Sequence, residues 1–152
     1  MNQIYTLLTA MLPVAELRGS IPLALTVYNL SPIQAYIWSI IGNMLPIFFL
    51  LWFWGTLAQW LIKKSPFANK FFTWLFERTR RRAHKKFEKY GHLALIIFVA
   101  IPLPITGAWT GSMAAFLFGV PYWKAVLYIF CGVLIAGIVV TLASLGVITI
   151  SN

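Results

Sequence analysis

The stretch Pro13-Val14-Ala15-Glu16-Leu17-Arg18-Gly19-Ser20-Ile21-Pro22 sets a carboxylate, a guanidinium, a glycine and two prolines inside an otherwise apolar N-terminal segment. The other two acids, Glu77 and Glu88, lie in a basic stretch, and the chain has no aspartate. Glu16 is therefore the one acid of the apolar part. A charge at bilayer depth costs several kcal/mol, so an ionisable residue there marks a functional site by default. The plainer alternative is a surface loop between two short segments. Apolar sequence on both sides would pull such a loop into membrane or protein interior.

Composition agrees. Of 152 residues, 61% are hydrophobic and 10% are charged, whereas a soluble domain is about a quarter charged. The class expected is an all-α integral membrane protein. The single cysteine, Cys131, sits in an apolar run, which excludes a disulfide framework, and no metal site or cofactor is expected. His84 and His92 border the basic stretch and read as solvated residues. The N-terminus lacks a basic n-region and a small-residue cleavage site, so its apolar stretch is expected to belong to the mature fold.

The net charge of +9 is concentrated: ten of the twelve Lys and Arg fall in residues 63–89, the others being Arg18 and Lys124. This is a positive-inside signature, so the segment is expected to be cytoplasmic and to meet anionic lipids. Nucleic acid is not an expected partner, since topology explains the charge and no reader motif is present. Phe67, Phe71, Trp74 and Leu75 recur at helical spacing, followed by Arg78, Arg80, Arg81, Arg82, Lys85 and Lys86. That pattern predicts an amphipathic helix at the membrane surface.

Along the chain, residues 1–12 and 21–30 are apolar pieces of half-membrane length, separated by breaks expected at Pro13, Gly19 and Pro22. Ser31-Pro32 reads as an N-cap followed by proline at the first helical position. A long helix is expected over 33–62, kinked near Gly42 by Pro46, with Asn43 facing protein or a cavity. After the basic segment comes a short piece, 93–101, then Pro102-Leu103-Pro104-Ile105-Thr106-Gly107-Ala108-Trp109-Thr110-Gly111-Ser112, then 113–118. Pro102, Pro104, Gly107 and Gly111 are the expected breaks there. A last long helix is predicted over 122–148, where Gly132 and Gly137 allow close helix contact.

The two halves share one grammar: short piece, Pro/Gly break, short piece, proline, long helix. Shifting by 89 residues lays Pro13 on Pro102 and Pro32 on Pro121. The expected architecture is one membrane domain, residues 1–152. It comprises a first repeat at 1–62, a basic cytoplasmic linker at 63–92 carrying the amphipathic helix, and a second repeat at 93–152. Each repeat is a re-entrant helical hairpin followed by one transmembrane helix, and the two are inverted, as in many secondary transporters. Lys124 then lies inside, as the positive-inside rule asks.

These motifs resemble those of the "putative small multidrug export protein" family. The matching pattern is Pro13-x-x-Glu16-x-Arg18-Gly19-x-Ile21-Pro22, Gly42-Asn43-x-x-Pro46, Lys89-Tyr90-Gly91 and Pro102-x-Pro104-x-Thr106-Gly107-Ala108-Trp109-x-Gly111. More distantly, the paired hairpins resemble the DedA superfamily, which implies lipid-carrier translocation. A DedA-type second hairpin carries an arginine. Residues 102–112 carry none, which leaves Arg18 as the only intramembrane cation.

The resemblance implies a small exporter in the cell (plasma or inner) membrane, multi-pass, moving a small molecule or a lipid-linked substrate. The alternatives are a DedA-like flippase or scramblase for polyprenyl phosphate or phospholipid, and a non-transporting assembly protein. A small multidrug resistance antiporter also carries a glutamate in its first span, but lacks the Pro-x-x-Glu-x-Arg-Gly context and the long basic loop. An enzyme is not expected, because the apolar regions offer no His cluster and no second acid. The candidate substrate or proton site is Glu16, Arg18, Asn43, Thr106, Trp109, Thr110 and Ser112. Two mechanisms stay open: Glu16 as a proton-carrying carboxylate, or Arg18 with helix N-terminal amides holding an anionic headgroup while Glu16 orients Arg18. The small size makes a homodimer an expectation.

Overall fold

The structure is a computed structural model and describes residues 1–102 and 106–151. Eight α-helices form in those residues: α1 (Asn2–Met11), α2 (Glu16–Thr26), α3 (Pro32–Gly55), α4 (Leu57–Lys64), α5 (Pro66–Tyr90), α6 (Ala94–Ala100), α7 (Ala108–Leu117) and α8 (Tyr122–Ser151). A 3₁₀ turn, Gly91–Leu93, joins α5 to α6. Pro104 lies outside the described residues.

Length sorts the helices into two kinds. At 1.5 Å per residue α3 and α8 run about 36 and 45 Å, enough for a hydrocarbon core of about 30 Å, whereas α1, α2, α6 and α7 reach only about 10–17 Å. Two helices, α3 and α8, are long and apolar enough to cross a membrane.

The short helices pair. The start of α1 lies beside the end of α2: Asn2 Nδ2 donates to the Tyr28 carbonyl at 3.1 Å, and the Tyr5 and Tyr28 rings are 5.9 Å apart. Helices α1 and α2 therefore form a hairpin whose tip is residues 12–15. In the second half, Phe87 in the last turn of α5 stacks on Phe118 just after α7, with ring centroids 4.1 Å apart.

Local chemistry explains several boundaries. Ser31 caps α3 through a reciprocal pair, Gln34 N–H to Ser31 Oγ and Ser31 N–H to Gln34 Oε1, both 3.4 Å, with Pro32 at the first position. Ser65-Pro66 repeats the device at α5, where Ala68 N–H reaches Ser65 Oγ at 3.4 Å.

Other boundaries differ from the sequence expectation. Helix α2 runs unbroken through Gly19 and Pro22. A proline in a helix interior costs about 3 kcal/mol. Here the same turns bury Leu17, Ile21 and Ala24, and each large apolar side chain contributes about 1.5–3 kcal/mol when fully buried. Packing outweighs the lost bond. For the same reason α3 continues through Pro46, and Gly111 lies inside α7 rather than at a break. The helix expected over 33–62 instead ends at Gly55 and resumes as α4 after Thr56, which has φ −121° and ψ −69°. The second half-helix starts at Ala108, five residues before the expected 113.

The long helices touch the short ones at glycines. A Cβ on Gly42 of α3 would strike the Leu7 carbonyl oxygen and come within 2.9 Å of Ala10 Cβ in α1. A Cβ on Gly132 of α8 would come within 2.7 Å of Val99 Cβ and 3.0 Å of the Ile96 carbonyl oxygen in α6. Gly137 of α8 lies against the Tyr36 ring of α3 in the same manner, at 2.7 Å. Leu7 and Ala10 stand 89 residues before Ile96 and Val99, the spacing that aligned the two halves in the sequence.

Helix α5 lies over the bundle. Thr79, Ala83 and Phe87 are buried against it, while Phe67, Phe71 and Trp74 are exposed, as are the arginines at 78 and 80–82. Arg78 stacks on Trp74 at 5.3 Å, and Lys64 on Trp60 at 4.5 Å. The amphipathic pattern is thus present, with a third, core-facing stripe that the sequence reading did not separate.

The glycine contacts predict a contrast. Gly42→Val and Gly132→Val should each destabilise the protein by about 1–3 kcal/mol through overpacking. Gly55→Val, where a Cβ meets nothing within 4 Å, should sit within about 0.5 kcal/mol of wild type. Thermal melts of the purified protein in detergent check the difference.

Candidate functional site

The site forms where the tip of the α1–α2 hairpin meets the start of α7. Glu16 opens α2 with φ +44°, one of two non-glycine residues with positive φ among those described. That backbone costs about 1–2 kcal/mol for an L-residue. It persists because the side chain is held: Glu16 is 7% exposed, and one carboxylate oxygen accepts the Trp109 N–H at 3.2 Å. The Ala108 N–H lies beside the same carboxylate. These are the first two amides of α7, which have no partner inside their own helix. Glu16 thus caps a helix remote in sequence, with its charge at the positive end of the α7 dipole.

Gly107 makes the approach possible. A Cβ there would overlap Glu16 Oε2, so residue 107 must lack a side chain if the carboxylate is to reach the amides. Its extended backbone alone would admit any residue. A second bond ties the same tips: Trp109 Nε1–H donates to the Met11 carbonyl, at the end of α1, at 3.2 Å.

The remaining candidates divide. Ser112 is fully buried, accepts from Trp54 Nε1–H at 3.0 Å and donates to the Trp109 carbonyl at 2.6 Å. It fastens α7 to α3 and does not face open space. Thr110 donates to the Gly107 carbonyl at 3.3 Å, and Thr106 to the Ile101 carbonyl at 2.9 Å. Asn43 is 1% exposed, with its Oδ1 unpartnered, and shares a small void with Glu16, Arg18 and Gly107.

Arg18 is half-buried, and no carboxylate of a described residue lies within 4 Å of it. The side chain instead lines a cavity of about 990 Å³ bounded by the hairpin tip, α3, α5 and α7. Glu16, Thr106, Trp109 and Thr110 border this cavity too, and Phe49, Phe53, Trp54, Phe71 and Phe72 form an aromatic wall. Sequence reasoning named the polar members. It missed the aromatic wall, because these residues also read as lipid-facing or core positions of α3 and α5.

Two helices long and apolar enough to cross a membrane, short helices that meet through an acid, and an aromatic cavity with one guanidinium make up an all-helical protein among the described residues. A comparison with known families identifies it further. The chain belongs to the family described as "putative small multi-drug export protein", whose model matches residues 16–139. No curated protein and no solved structure shows significant similarity to it.

The Glu16 contact predicts strong coupling. Glu16→Gln and Gly107→Ala should each lower stability by about 1–3 kcal/mol, the cost of disturbing a buried charge-assisted bond. The double variant should lose far less than the sum, because both break one contact. A double-mutant cycle on the melting transition measures this, and full additivity would refute the contact.

Proposed function

We propose that this protein is a small multi-pass transporter of the cell (plasma or inner) membrane, acting by transport rather than catalysis, with its cargo site in the cavity beside Arg18. The observation that carries the reading is the Glu16 carboxylate of one hairpin tip resting on the α7 amides at the wall of that cavity. Such a contact joins the two halves through a group that can change charge. Protonated, Glu16 is a weaker acceptor for the Trp109 amide and no longer interacts with the helix dipole. The α7 tip is then freer to move, which couples proton binding to opening of the cavity.

The reading includes re-entrant, inverted hairpins. The four short helices are too short to span, and the α1–α2 hairpin brings its two ends together. Leu7 and Ala10, which meet Gly42, stand 89 residues before Ile96 and Val99, which meet Gly132, and the two glycines are 90 residues apart, close to what two copies of a unit would give. One net crossing per unit makes the copies inverted, with the broken helices meeting near the midplane and irregular backbone covered by protein. With the basic helix α5 in the cytoplasm beside anionic headgroups, both termini lie outside. A DedA-like lipid cargo would use the same cavity and hairpins.

Two measurements test the proposal. Reporter fusions should place both termini outside; termini inside would require four full spans and remove the hairpins. In proteoliposomes loaded with a panel of fluorescent dyes, Glu16→Gln should cut proton-driven flux at least about tenfold and flatten its pH dependence. The exposed Glu77→Gln should behave as wild type. Equal flux and an equal pH profile in Glu16→Gln would end the coupling role.

A further inference from the structure

We propose that the cavity selects an amphiphile with a single oxyanion head (carboxylate, sulfonate or phosphate monoanion) and an apolar body, and that Arg18 is its specificity-determining residue. The inference rests on this cavity being the cargo site and names the chemical class of the cargo.

The polar groups around the cavity are accounted for one by one. Glu16 accepts from the Trp109 amide of α7, with the Ala108 amide beside it. Trp54 Nε1–H goes to Ser112 and Trp109 Nε1–H to the Met11 carbonyl. Thr106 and Thr110 donate to backbone carbonyls, and Met113 Sδ accepts from Thr79 Oγ1 at 3.1 Å. Arg18 is different. Among the described residues it makes no hydrogen bond and no ion pair within 4 Å, yet it borders the cavity. The recognition group left over is a cation.

Its shape narrows the ligand. A guanidinium offers a planar fork of N–H donors that matches two oxygens of one head. The rest of the wall is apolar, with Phe49, Phe53, Phe72 and Leu75 on the α3 and α5 sides. An organic body gains free energy there. A second charge would be stripped of water without a partner, so one anionic head is the fit. A cationic amphiphile would bring a like charge to Arg18, while the compensating carboxylate is already bound to α7.

The head could belong to a free amphiphile or to an anionic bilayer lipid, and the test separates them. The full-length protein is placed in phosphatidylcholine nanodiscs and titrated with 1-pyrenesulfonate or 1-pyrenemethylammonium, reading tryptophan-to-pyrene energy transfer. These probes share a body and differ in charge. The sulfonate should bind saturably and the ammonium should not. Arg18→Gln should weaken sulfonate binding at least about tenfold, and Arg18→Lys should restore part of it.

Equal saturable binding of the two probes, or unchanged sulfonate binding in Arg18→Gln, overturns the proposal. If Arg18→Gln fails to fold, the two probes on the wild-type protein decide it. Displacement of bound sulfonate by added phosphatidylglycerol upholds the proposal with a lipid head as ligand, and sulfonate that stays bound upholds it with a free amphiphile. The transport reading fails separately. Arg18-dependent binding with no flux in proteoliposomes would sink transport and leave the site. Flux of both probes regardless of Arg18 would sink the site and leave transport.

Discussion

A buried carboxylate facing the open end of a short helix is the constraint on which the two halves depend. Helix α7 is ten residues long, and its leading amides have no intrahelical acceptor. Away from water, each unpaired amide would cost about 1–3 kcal/mol. Glu16 accepts from one of them, Trp109, beside a second, Ala108, and these amides compensate the buried charge. The consequences spread outward. Gly107 has to be bare, Glu16 has to adopt a left-handed backbone, and residues 12–15 have to form a tip rather than a helix.

The cavity follows from the same arrangement. Four short helices and a proline-rich tip cannot fill the space that two long helices enclose. Helix α5 covers the remainder with aromatic rings: Phe72 and Phe76 pack edge-on to Trp54 at 6.2 and 5.9 Å. Aromatic walls give a large apolar surface without fixed polar partners, and Arg18 is the one cation among the described residues that line it. Glu16 and Arg18, two residues apart, therefore differ in surroundings: the acid accepts from α7, and the base borders the cavity.

Ordinary helix rules fail at instructive places. Pro22 and Pro46 sit inside continuous helices. A proline removes one backbone bond locally, whereas the surrounding turns bury Leu17, Ile21, Met44 and Ile47. Helix α3 ends at Gly55 and Thr56 although the apolar run continues to Ile62. Neither outcome is visible in a window of a dozen residues.

What the chain alone determined is the part written in composition and spacing. The membrane class follows from apolar runs and scarce charge, and the two long helices from run length. The start at Ser31-Pro32 and the amphipathic helix come from capping and periodicity. Glu16 and Arg18 stood out because charge in an apolar context is costly. The tertiary structure decided what these groups face. No local pattern tells an acid which of several helix ends it will cap, since the partner amides lie 93 residues away. Nor does a pattern tell whether Ser112 lines a cavity or fastens Trp54, or which aromatic residues of α3 and α5 close on a common space. Those outcomes depend on distances between segments remote in sequence, which packing sets.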